Sequence, residues 1–80
     1  MAFEIDVRFD RALDDNARTY LNHWLDDEGV GLIRWRADGE QAVLTFAVNH
    51  ATREGAMRLV SDQAAMLWPH EIPAGVEDIR

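Results

Sequence analysis

Residues 30–48, which read VGLIRWRADGEQAVLTFAV, decide the fold of this chain. Two runs rich in β-branched and aromatic residues, 30–37 and 40–48, flank the dipeptide Asp38-Gly39. An Asp-Gly pair between such runs predicts a two-residue hairpin turn of type I′, because both central residues of that turn need a positive φ. The stretch therefore predicts two antiparallel strands with a tight turn at Asp38-Gly39.

This turn also predicts which residues lie opposite one another. In the predicted register, Ala37 faces Glu40, Trp35 faces Ala42 and Ile33 faces Leu44. One face of the hairpin is then apolar and belongs to the core; its members are Ile33, Trp35, Ala42, Leu44, Phe46 and Val48. The other face is mixed and solvated; its members are Arg34, Arg36, Gln41, Val43 and Thr45.

Before the hairpin, residues 3–9 alternate strictly between apolar and polar, which predicts a half-buried strand. A helix follows, with an apolar stripe at helical spacing formed by Leu13, Ala17, Tyr20, Leu21, Trp24 and Leu25. Asp10 is its predicted N-cap, and Gly29 is predicted to lie just past its C-terminus.

A second helix follows the hairpin. Either Asn49 or Thr52 caps it, and Pro69 ends it. Its predicted buried stripe consists of Ala56, Leu59, Val60, Ala64 and Leu67. The tail, residues 70–80, is either a short edge strand or a loose end.

The order of these elements is β-α-β-β-α, with a further strand if the tail forms one. This order predicts a single α+β domain over residues 1–80: a ferredoxin-like sandwich with two helices on one face of an antiparallel sheet. Strands one and three are central in that arrangement. The third strand is apolar on both faces, as a central strand should be.

Fifteen acidic residues stand against eight basic ones, and the formal net charge is −7. Such a chain disfavours direct contact with nucleic acid or an anionic membrane and suits a basic protein surface. The chain has no Cys, which excludes disulfide and thiolate chemistry. It shows neither a signal peptide nor an apolar run long enough to span a bilayer, so we expect a cytoplasmic protein.

No motif for catalysis, a metal or a cofactor stands out, and we expect none of the three. His23, His50 and His70 lack metal-site spacing, and the only serine, Ser61, has no His near it in helical spacing. The outward positions of strands one and three carry no aromatic platform for RNA. A basic strip of Arg8, Arg34 and Arg36 is interpreted as neutralised across strands; its expected partners are Glu4, Asp6 and Glu40.

The least expected charges are Asp26, Asp27 and Glu28, predicted in the last turn of helix one, where the helix dipole favours cations. Asp14 and Asp15 lie near the favourable start of the same helix. Solvated charge is one interpretation of these acids, and a docking surface for a basic partner is the other. Trp68 either anchors a partner while partly exposed or closes the core against the tail.

The expected function is therefore binding without catalysis. We expect a small bacterial or phage inhibitor, of the anti-CRISPR or DNA-mimic type, that blocks a basic, nucleic-acid-binding surface of a partner protein. Its predicted contact residues are Asp14, Asp15, Asp26, Asp27, Glu28 and Trp68.

Two alternatives stay open. One is a ligand-binding or enzymatic homodimer, formed through Leu32, Val43 and Ala47 on the outer sheet face. Arg34 and His50 are the first polar residues to test in that case. The other is a structural subunit of a larger assembly, with the Trp68 end as its contact.

Overall fold

A computed structural model describes residues 1–79 of the chain. Over that range the elements are β1 (Ala2–Phe9), α1 (Asp15–Leu25), β2 (Leu32–Asp38), β3 (Gln41–Asn49), α2 (Arg53–Leu67) and β4 (Gly75–Asp78). The strands form an antiparallel sheet in the order β2-β3-β1-β4. The mixed α+β architecture is confirmed, β1 and β3 are central, and the tail supplies a short edge strand.

One hydrophobic core lies between the sheet and the two helices of this region. Alternate residues of β1 and β3 point into it because successive side chains of a strand face opposite ways. The strands contribute Phe3, Ile5, Val7, Phe9, Leu32, Ala42, Leu44, Phe46 and Val48. The helices contribute Leu21, Ala56, Val60, Ala64 and Leu67. Each large member stabilises the fold by about 1.5–3 kcal/mol through its burial.

The hairpin register differs from the predicted one by two residues. Asp38 pairs with Gln41, so the turn consists of Gly39 and Glu40. Gly39 has φ of 60°, and within the described chain no non-glycine residue has a positive φ. The prediction of a type I′ turn is therefore wrong, because only the first central residue of this turn has a positive φ, as in type II′. A register shift of two residues leaves each side chain on the same face of the sheet, because side chains of a strand alternate between faces with a period of two.

An irregularity in β2 exchanges two neighbouring residues between core and surface. The register shifts between Leu32 and Arg34, which leaves Ile33 as an extra residue. Leu32 lies opposite Phe46 and is buried, whereas Ile33 is 45% exposed. The predictions that Ile33 faces the core and that Leu32 faces outward are thus both wrong. A bulge changes which side chain points inward, and the simple alternation does not reveal it.

Helix α1 begins later than predicted, because Asp14, and not Asp10, is its N-cap. The Asp14 Oδ1 accepts a hydrogen bond of 2.7 Å from the backbone N–H of Ala17. The helix ends at Leu25 with Asp26 as its C-cap. Gly29 has no positive φ and lies beyond the cap, so its predicted place at the end of the helix is also wrong.

Helix α2 resolves the choice of cap in favour of Thr52, whose side chain accepts from the backbone N–H of Gly55 at 3.1 Å. The helix ends at Leu67, two residues before Pro69, as predicted. The predicted stripe is buried except for Leu59, which is 37% exposed. Leu59 lies about 100° around the helix from Val60, which puts it at the margin of the buried face.

Candidate functional site

The outer face of the sheet carries a ladder of ion pairs that crosses the central strand β3. Three arginine–carboxylate pairs form it: Arg34–Glu4 at 3.2 Å, Arg36–Asp6 at 3.4 Å and Arg8–Asp38 at 2.7 Å. Each pair joins a residue of β1 to one of β2, the strands on either side of β3. The predicted neutralisation of the basic strip is therefore present for Glu4 and Asp6. Arg8 pairs with Asp38, and the expected role of Glu40 is wrong because the turn begins one residue later.

The arginine side chains of this ladder cover the outer face of β3. Val43 and Thr45 point away from the helices, yet both are fully buried. Long arginine stems lying over apolar surface account for this. Beneath them, Asp6 is 4% exposed and accepts a 2.5 Å hydrogen bond from the Thr45 hydroxyl. In the apolar patch expected for a homodimer, Leu32 is buried in the core and Val43 is buried under the arginine side chains. Only Ala47 of that patch is exposed.

The Arg8–Asp38 pair also shifts two proton affinities. The hydrogen bond from the Arg8 guanidinium lowers the pKa of the Asp38 carboxyl, because it stabilises the ionised form. The same bond raises the pKa of Arg8 further above its already high ordinary value. Both groups stay charged at neutral pH, so the outer face gains no net charge from this pair.

The acidic residues Asp26, Asp27 and Glu28, hereafter the acidic loop, follow α1 directly. All are exposed, and none has an ion pair within residues 1–79. Their predicted place in the last turn of the helix is wrong, because Asp26 is the cap and the others lie beyond it. The Asp27 side chain accepts from the backbone N–H of Gly29 at 2.8 Å, so one member has a structural use.

The end of this loop is fixed to its neighbours. The backbone N–H of Gly31 donates to the Gln63 side chain of α2 at 2.9 Å, and the Gly31 carbonyl accepts from Ala47 N–H at 2.8 Å. A Cβ on Gly31 would lie 2.7 Å from the Ala47 carbonyl oxygen, which is closer than real contacts allow. These contacts hold the acidic loop where α1 meets the sheet.

The acids at the start of α1 are separate from the acidic loop. The Asp14 carboxylate accepts the capping hydrogen bond, and Asp15 lies exposed in the first turn. A helix of 11 residues is about 16 Å long, so the two groups lie at opposite ends of it. The structure therefore does not bring the predicted contact acids together in one patch.

Trp68 closes the core, contrary to the interpretation of a partly exposed contact. It is 7% exposed, and its ring meets Phe9 edge-on at 5.0 Å between centroids. The Arg11 guanidinium covers it at 4.4 Å from the ring centre and adds a cation–π contact. Trp68 therefore offers little surface to a partner.

The three histidines lie in different parts of the fold: His23 in α1, His50 between β3 and α2, and His70 after α2. In the described region, no group of three or more His, Asp or Glu side chains has the geometry to hold a metal ion. His23 lines a shallow depression of about 210 Å³ on α1 with Thr19, Asn22 and Asp26. His50 accepts through Nδ1 from Thr52 N–H at 3.3 Å, which places its ring beside the start of α2.

The acids divide into those that have an ion-pair partner among the described residues and those that do not. On the outer sheet face, the ladder pairs arginines with acids. On the helices and the acidic loop, these acids have no ion pair within the described residues: Asp14, Asp15, Asp26, Asp27, Glu28, Glu54 and Asp62. The sequence signal for this division was the alternation of charge on β1 and β2, which predicts cross-strand partners.

Comparisons with protein-family models, with curated proteins and with solved structures find no match to this chain. Among residues 1–79, neither helix has the length and apolar character needed to cross a membrane.

Proposed function

We propose that this chain is a non-catalytic acidic module that docks its acidic loop on a basic surface of a partner protein. That surface would otherwise hold nucleic acid, so the module acts as an inhibitor of the anti-CRISPR or DNA-mimic type. Carboxylates then replace phosphates opposite the partner's Arg and Lys side chains.

The observation that carries this proposal is the division of charge. The ladder arginines Arg8, Arg34 and Arg36 already pair with three acids of the outer sheet face, which therefore attract an added cation less strongly. The acidic loop is exposed, carries three carboxylates and has no arginine paired with it in the described part of the chain. A cationic partner would therefore gain most from meeting the loop.

We also propose that the architecture is the ferredoxin-like sandwich. The order βαββαβ supports this, as do the central positions of β1 and β3. A single core shared by both helices of this region supports the placement of the helices on one face of the sheet.

The first test removes the charge of the loop without changing its shape. The partner is identified by cross-linking the tagged protein in its native host, followed by mass spectrometry. Its Kd is then measured for the wild type and for Asp26→Asn/Asp27→Asn/Glu28→Gln. Three exposed contacts at about 0.5 kcal/mol each predict roughly tenfold weaker binding, with folding unchanged.

A matched control removes the same charge elsewhere. The variant Asp15→Asn/Glu54→Gln/Asp62→Asn changes three helical carboxylates and leaves the loop intact. We expect it to weaken binding far less than the loop variant. Equal losses would show that only total charge matters, and unchanged binding by the loop variant would refute the proposal.

A further inference from the structure

The β2–β3 turn places an electrophilic carbon next to a nucleophilic nitrogen. In the sequence, Asp38 is the only Asp followed by Gly. The Asp38 side-chain carboxyl carbon and the Gly39 backbone nitrogen are so spaced along the chain that a bond between them closes a five-membered succinimide ring. Glycine favours this ring closure because it has no side chain to shield its nitrogen.

The surroundings of Gly39 do not hinder ring closure sterically. A Cβ built on Gly39 meets nothing within 4 Å, and the Asp38 side chain is 57% exposed. No acceptor for the Gly39 N–H is found among residues 1–79. Water therefore reaches the site, and no hydrogen bond holds the nitrogen back.

Arg8 acts against the reaction. Its Nη1 donates to Asp38 Oδ2 at 2.7 Å and lies 3.4 Å from the Gln41 side-chain oxygen. Ring closure expels a carboxyl oxygen as water, which requires a protonated carboxyl. The guanidinium stabilises the ionised carboxylate and lowers the pKa of Asp38.

We propose that Asp38-Gly39 is a site of spontaneous aspartate isomerisation and that Arg8 restrains it by holding the Asp38 carboxylate. The Gly39 nitrogen loses its proton and bonds to the carboxyl carbon, and one water leaves. Hydrolysis of the succinimide adds one water back. Attack on the former side-chain carbonyl restores Asp, and attack on the former main-chain carbonyl gives isoaspartate, whose main chain is one carbon longer.

The test compares isoaspartate formation in folded variants that have been aged at neutral pH. Peptide mapping by electron-transfer fragmentation measures isoaspartate at position 38 in the wild type, Arg8→Gln, Arg8→Lys and Arg34→Gln. We expect a severalfold faster rate for Arg8→Gln and an intermediate rate for Arg8→Lys. Arg34→Gln removes a comparable ion pair on the same face and should match the wild type.

Two outcomes would overturn the proposal. One is an equal rate in the wild type and Arg8→Gln, and the other is an equal acceleration by Arg34→Gln, which would indicate general loosening of the sheet. In concentrated urea the Arg8 contact is lost, so the wild type and Arg8→Gln should react equally fast. A difference that persists in urea would assign the effect to local sequence and would also contradict the proposal.

Discussion

Single residues in this chain owe their identity to contacts that sequence spacing does not show. Gly55 lies in the first turn of α2, where a glycine ordinarily costs helix stability relative to alanine. Here a Cβ would lie 2.0 Å from Cε1 and 2.4 Å from Nδ1 of His50. The absence of a side chain at Gly55 leaves space for the His50 imidazole, which accepts a hydrogen bond from the backbone N–H of Thr52.

The replacement Gly55→Ala should therefore destabilise the protein by about 1 kcal/mol, the low end for overpacking, because the His50 ring must move. In a His50→Ala background the same change should instead stabilise it by about 0.5–1 kcal/mol, as alanine does elsewhere in helices. Urea denaturation of the four proteins measures both effects. The same sign in both backgrounds would show that the ring is not the cause.

At the scale of elements, capping and strand pairing set where each segment begins and what it touches. The sequence predicts Asp10 as the cap of the first helix, because it precedes Leu13, the first residue of the predicted apolar stripe. The structure selects Asp14 and uses Asp10 to accept a 2.7 Å hydrogen bond from the Gln41 side chain. The alternation predicts the end of β1 at Phe9 correctly, but the local pattern does not show that the connection to α1 extends to Asp14.

The variant Asp14→Ala should lose about 1 kcal/mol of stability, because the N–H of Ala17 loses its acceptor. Asp10→Ala should lose less, because its partner Gln41 can turn to water. Thermal or urea unfolding of the two variants gives the comparison. A larger loss for Asp10→Ala would contradict the assignment of Asp14 as the cap.

The sheet ladder predicts a dependence of stability on pH. Arg8 lowers the pKa of Asp38 in the folded state below its ordinary value of about 4. The pair therefore stabilises the fold above about pH 4, and this contribution is lost as the pH falls through the folded-state pKa. We expect the stability advantage of the wild type over Asp38→Asn to shrink over that range.

The measurement is a series of urea titrations from neutral to acidic pH. In an Arg8→Gln background, Asp38→Asn should show a much smaller pH-dependent difference, because the main cation that lowers the pKa of Asp38 is gone and only the weaker effect of Arg36 is left. An advantage of the wild type that stays constant down to the lowest pH would exclude Arg8 as the cause.

Over the whole molecule, the sequence predicts the order of the elements and their core faces well, but it predicts only part of the distribution of charge on the surface. The excess of acids is evident from the composition, and the cross-strand partners of Arg34 and Arg36 follow from strand alternation. The acidic loop has no ion pair within residues 1–79, whereas Arg34 and Arg36 reach across β3 and each pair with an acid of β1. Their partners Glu4 and Asp6 lie 30 residues away in the chain.

The sequence by itself determined the α+β class, the order of the elements, the core faces of β1 and β3 and the end of α2. These follow from periodicity and from Gly and Pro, which act over a few neighbouring residues. Only the tertiary structure decided the bulge that buries Leu32, the pairing of Asp38 with Arg8 and the burial of Trp68. Each depends on residues that are distant in sequence, because packing and long-range ion pairs select among local alternatives that are close in free energy.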